Sequence, residues 1–265
     1  MQVVEVGSDS LSCLLSSLDR LCTEIARKFN LYTSDGKPRK VFILDTLLRY
    51  SCRGCIVKVL SKQPRKRADA LYIQNHNLAV SLLVEELYRK LRENGLSFVV
   101  KEEVKGSYGK PDVIVKVTTT GLILEVNGKI EVIVEVKSGE SFSYAQIFRY
   151  LAEKPNAILT LWRVVKRQTL VFEGEKLHRL LLMVMRAALD RGNSILNGEY
   201  WECDHNPIME EGKNHRNFQN FIDQFLLALT ENTADTAEII VNIIKRYMGQ
   251  HLQAVKNAAL KENRV

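Results

Sequence analysis

The sequence predicts an α/β fold in which helices flank a mixed central sheet. Three observations lead there. Residues 112–117 and 131–137 are rich in β-branched side chains and read as strands. Apolar residues recur at helical spacing over 8–31, 74–93 and most of the chain after 175. The order helix, three-strand meander, helix, strand then places antiparallel and parallel neighbours in one sheet.

Taken in order, Leu11, Leu14, Leu15, Leu18, Leu21, Cys22 and Ile25 form the apolar stripe of a first helix, with Ser8 or Asp9 placed to cap it. Ser34-Asp35-Gly36-Lys37-Pro38 is a turn. Residues 42–60 read as a helix interrupted or ended near Gly54, and 61–70 as a polar connector. Over 74–93, Leu78, Ala79, Leu82, Leu83, Leu87 and Leu91 make a buried stripe, and Asn94-Gly95 ends the helix. A strand over 96–104 and a loop over 106–110 lead to Asp112. Asn127-Gly128 is a hairpin signal ahead of the 131–137 strand. A helix over 144–153, a strand over 156–165 and a short edge strand at 170–172 follow.

Beyond 175 the pattern gives a helix over 177–189 that ends near Gly192, a loop over 193–213, and helices over 215–230 and 234–261. The expected organisation is a helical region over 1–70, a core over 71–175 and a helical region over 176–265. The two outer regions are expected to join as one helical subdomain beside the sheet.

A charged fraction of 26% and an apolar fraction of 46% are ordinary for a globular chain. No run of 18 apolar residues occurs, and Glu5 and Asp9 stand where a signal peptide would be basic and then apolar. An intracellular protein with no membrane partner is the expectation. The net charge of +7 favours a polyanionic partner. Lys58, Lys62, Arg65, Lys66 and Arg67 form one basic stretch, and Arg163, Lys166 and Arg167 form another. Each phosphate they met would add salt-sensitive affinity.

Chemistry concentrates between these stretches. Pro111-Asp112 opens one strand, Glu135-Val136-Lys137 closes another, and Gln146 and Tyr150 follow at a spacing of four, on one face of a helix. Strand alternation puts Glu135 and Lys137 on one face of the sheet and Val132, Val134 and Val136 on the other. Two carboxylates with a backbone carbonyl, that of Val136, suit a hard divalent cation such as Mg²⁺ or Mn²⁺. A neighbouring ammonium can steer a water or a phosphate.

These residues, in this order, resemble the PD-(D/E)XK nuclease superfamily and more narrowly its RecB-type branch, over about residues 41–165. The resemblance implies a restriction-endonuclease-like core and a nuclease acting on DNA. Asp112 and Glu135 would be metal ligands, and Lys137 the residue that orients the nucleophile. Gln146 and Tyr150 would contact substrate or support the site; Lys66 and Arg67 are expected on the substrate from the charge of the first basic stretch, not from the resemblance. The branch carries a metal-binding histidine on a helix upstream, and His76 stands at a suitable distance. Glu86, on the same helix, is the alternative.

Some relatives hold an iron–sulfur cluster with one cysteine before the site and three after it. Here Cys52 lies in a similar segment, but Cys203 stands alone late in the chain, so no cluster is expected. Cys52, Cys55, Cys203 and His205 remain a set with ligand chemistry for a structural metal, against the alternative of buried free thiols. No Gly-rich loop ending in Gly-Lys-Ser/Thr occurs, so unwinding would need a helicase or another DNA-processing partner. The rival expectations are an inactive nucleic-acid-binding or assembly protein on the same fold, and a purely structural helical partner protein.

Overall fold

The β-branched runs assemble into one five-stranded sheet. The computed structural model describes residues 10–62, 70–102, 110–119, 128–138, 144–201 and 218–262. Helices α1 (Leu11–Phe29), α2 (Lys40–Arg49), α3 (Arg53–Leu60) and α4 (Ala70–Glu93) precede strands β1 (Phe98–Glu102), β2 (Val113–Thr119) and β3 (Gly128–Lys137). Then come α5 (Tyr144–Glu153), β4 (Ile158–Arg163), β5 (Gln168–Glu173), α6 (Gly174–Leu196) and α7 (Phe218–Glu262). The strands lie in sequence order. β1, β2 and β3 pair antiparallel, β4 lies parallel to β3, and β5 returns antiparallel as an edge. The parallel step requires a crossover, and α5 supplies it.

Strand alternation divides the apolar residues between two cores. Val113, Val115, Val117, Val132, Val134, Val136, Ile158 and Trp162 face α4 and α7. Ile133, Leu159 and Leu161 face the other way, toward α1, α2, α3, α5 and α6. Glu135 and Lys137, in phase with Ile133, therefore lie on the α5 side. Of the expected terminal subdomain, α6 does pack on α1, whereas α7 crosses to the opposite face and packs on α4 and β3.

Several boundaries differ from expectation, each for a local reason. Ser10, rather than Ser8 or Asp9, caps α1, its side chain accepting from Cys13 N at 3.3 Å. The 42–60 helix is interrupted as expected, but at residues 50–52, and Gly54 is buried inside the second segment. On α4 the buried positions are Ala79, Val80, Leu83, Val84, Leu87 and Leu91, while Leu78 and Leu82 are exposed. α6 runs on through Gly192, because that glycine is a contact point rather than a stop: an added Cβ would lie 2.3 Å from Leu21 Cδ2 of α1. The expected helices over 215–230 and 234–261 are one. Asn232 Nδ2 and Thr233 Oγ1 bond back to Ala228 O (3.0 Å) and Leu229 O (2.6 Å), so the polar pair stays helical. Among the described residues no helix is long and apolar enough to cross a membrane.

Candidate active site

The β2–β3 pairing sets the geometry. Val113 lies opposite Val134, so continuing the register by one residue brings Asp112 opposite Glu135, and opposed residues project from the same face. The Asp112 carboxylate is fixed by two bonds. Val136 N donates to Oδ2 at 2.6 Å, and His76 Nε2 on α4 lies 3.0 Å from Oδ1. This is how a histidine from the helix layer on one face reaches the end of the sheet.

Glu135 is gripped from two sides. Lys137 Nζ, two residues along the same strand face, donates to Oε1 at 2.6 Å, and Gln146 Nε2 from α5 donates to the same oxygen. Gln146 Nε2 is also 3.1 Å from the Tyr150 hydroxyl one turn along the helix. The second oxygen, Oε2, is buried and has no hydrogen-bond partner. Only 5% of Glu135 is exposed.

Electrostatics follow from this crowding. Burial pushes the Glu135 carboxyl above its ordinary range, the Asp112 charge adds to the effect, and Lys137 opposes it. Burial, reinforced by the Glu135 charge, holds the Tyr150 hydroxyl well above the usual phenol range. His76 is raised chiefly by its bond to Asp112, against desolvation. A buried carboxyl group whose pKa is raised by a neighbouring carboxylate gains from a cation placed beside it.

The donor chemistry fits Mg²⁺ or Mn²⁺. Asp112 is near enough for its charge to act on Glu135, and one oxygen, Glu135 Oε2, is buried with no hydrogen-bond partner. Among the described residues no three His, Cys, Asp or Glu side chains are arranged to hold an ion by themselves. A hard cation here would complete its shell with a backbone carbonyl, water and substrate oxygens, as Mg²⁺ commonly does.

Comparison with protein-family models, curated proteins and solved structures returns no match to this chain.

The structure thus gathers Asp112, Glu135, Lys137, Gln146, Tyr150 and His76 at one end of the sheet. Glu86 is elsewhere. It is ten residues beyond His76, about 15 Å along the helix, and its carboxylate is held by Arg89 at 2.5 and 2.9 Å. Among the described residues neither Cys52 nor Cys55 is in a disulfide, and Cys55 is buried. Lys66, Arg67, Cys203 and His205 lie outside the described residues.

One pair had not been singled out. Arg149, between Phe148 and Tyr150 on α5, is buried and sits 3.5 Å from Asp45 of α2. It ties α5 to the layer behind it, and so sets the height at which Gln146 and Tyr150 meet Glu135. Its signal in the sequence is a charge on the stripe of α5 that also carries Ala145 and Ala152.

Proposed function

We propose that this protein is a metal-dependent nuclease that hydrolyses DNA phosphodiester bonds, with a site of the PD-(D/E)XK, RecB-like kind. The observation that carries the reading is Asp112 held opposite Glu135, with Lys137 and Gln146 both on Glu135 Oε1 and Oε2 left open. Asp112, Glu135 and the Val136 carbonyl would hold Mg²⁺ or Mn²⁺, and His76, now bonded to Asp112, would join them only by giving up that bond. Bound there, the ion supplies a water of lowered pKa and neutralises phosphate charge. Lys137 orients the attacking water and sets its positive charge against the negative charge growing on the phosphate. Gln146 and Tyr150 hold Glu135 in place and meet the substrate backbone. Strand separation, where the substrate requires it, falls to a helicase or another DNA-processing partner.

The test is a cleavage assay on single-stranded, duplex, branched and circular DNA with Mg²⁺ or Mn²⁺. Asp112→Ala and Lys137→Ala are each expected to lose at least about a hundredfold in rate with unchanged circular dichroism. Cleavage at the wild-type rate by either variant rejects the assignment.

A second reading draws on one observation: Oδ1 and Oδ2 of Asp112 and Oε1 of Glu135 are already met by protein groups. A site so satisfied internally also suits a nucleic-acid-binding or assembly protein without activity. Mn²⁺ titration separates the two, because DNA affinity without ion binding at Asp112 and Glu135 favours the second.

A further inference from the structure

The β4–β5 hairpin stands at the same end of the sheet as the carboxylate pair. Lys137 is in register with Arg163, and Arg163 with Gln168. Val164 N donates to Lys137 O at 3.0 Å, which locks the start of the turn onto the strand that carries Glu135. Arg163 shares the sheet face of Lys137 and Glu135, and its Nη1 donates to Gln168 Oε1 at 2.9 Å. Lys166 and Arg167 occupy the exposed turn, which is closed by Arg167 N to Val164 O at 2.9 Å. Lys137 and Arg163 therefore share one face at this end of the sheet, and Lys166 and Arg167 stand in the turn just beyond it.

The backbone at Arg167 adds a second observation. Among the described residues two non-glycines take a left-handed φ, Asn30 at 53° and Arg167 at 51°. Asn30 ends α1, where a short amide suits that conformation. At the tip of a hairpin the same conformation favours glycine or asparagine, and a long cationic side chain there is held against preference. Folding does not require it. The strands are paired over their full length, and Thr169 Oγ1 meets Thr236 Oγ1 of α7 at 3.0 Å. Arg167 Nη2 does reach Glu231 Oε2 at 2.8 Å, but both side chains are about half exposed. An ion pair of that kind contributes little and yields readily to a phosphate.

We propose that this hairpin is the element that grips the sugar–phosphate backbone of the DNA beside the scissile bond. Arg163 takes the phosphate nearest Lys137, and Lys166 and Arg167 take the next ones along. The assignment rests on reading the carboxylate pair as a phosphodiester-cleaving site, since it is their shared end of the sheet that fixes where the strand must run.

Binding is measured apart from cleavage, by fluorescence anisotropy of a short labelled DNA, single-stranded or duplex, in EDTA over a series of salt concentrations. Arg167→Gly relaxes the strained φ, so its melting temperature is expected to equal or exceed the wild type while its affinity falls severalfold. Arg163→Gln with Arg167→Gly is expected to lose about tenfold or more. Its salt slope should drop by about 0.7–0.9 for each phosphate contact removed.

Lys116→Ala is the control. It is on the same sheet face, in register with Glu131, which is about 20 Å along β3 from Lys137, and its affinity should not change. Unchanged affinity and salt slope in the double variant, an equal loss in Lys116→Ala, or no DNA binding by the wild type overturns the assignment. Loss of binding in the hairpin variants by a protein that never cleaves keeps the hairpin as a DNA-binding element and removes the nuclease. Cleavage with unaltered hairpin binding does the reverse.

Discussion

His76 illustrates how a single residue here is governed by its partner. Its hydrogen bond to Asp112 raises its pKa above the ordinary 6.5 despite partial burial. A raised value means that the folded protein binds the proton more tightly than the unfolded chain does. The stabilisation from the pair is complete below the unfolded pKa and is lost as pH rises through the raised one. In EDTA, urea unfolding of wild type and His76→Gln should therefore differ most below the ordinary histidine pKa of 6.5 and converge as pH rises through the raised value. A difference that grows with pH would reverse the assigned polarity of the bond.

At this same scale the site was largely legible. Asp112, Glu135 and Lys137 are brought together by one antiparallel pairing and one strand alternation, both of which are local properties of sequence. Arg149 with Asp45 was not legible, because the residues are 104 apart and meet only when α5 docks on α2.

Whole elements show where local reading stops. The strands were visible as β-branched runs. The end of α6 was misjudged because Gly192, taken as punctuation, serves packing instead, and a second closely packed glycine, Gly174, provides the comparison that tests this. At Gly192 an added Cβ would meet the end of the Leu21 side chain at 2.3 Å, whereas at Gly174 it would meet the Pro155 carbonyl oxygen, a backbone atom, at 2.2 Å.

Alanine at 192 regains about 1 kcal/mol of helix propensity against an overpacking cost of about 1–3 kcal/mol. A net loss of about 1 kcal/mol is expected, and shortening Leu21 to Val should remove it in a double-mutant cycle. Alanine at 174 has no side chain to displace. Its loss should be larger, about 3 kcal/mol or more, and no substitution at position 21 should rescue it. Chemical denaturation of the wild type and the five variants decides, and rescue of Gly174→Ala by Leu21→Val would contradict the packing.

On the scale of the whole molecule, the sheet is covered twice, and the two covers are not equivalent. One face is closed by α1, α2, α3, α5 and α6, five helices that also pack on one another. Among the described residues, the other has α4 and α7 alone over the valines of β2 and β3. Amphipathic periodicity shows that α7 buries one side, but not which face of the sheet it will choose. That choice depends on which valine surface the earlier helices leave uncovered, a property of the assembled layers rather than of any window of sequence.

It also makes α7 indispensable. Leu229, Ile240, Val241, Ile243 and Ile244 are buried by it, at about 1.5–3 kcal/mol each, and its loss would return the facing valines and Trp162 to water as well. The sum is comparable with the whole stability of an ordinary domain, about 5–15 kcal/mol. A chain ending at residue 217 should therefore give no cooperative thermal transition and should expose apolar surface to a hydrophobic dye. A truncated chain that melts cooperatively near the wild-type temperature would mean that α4 alone closes that face.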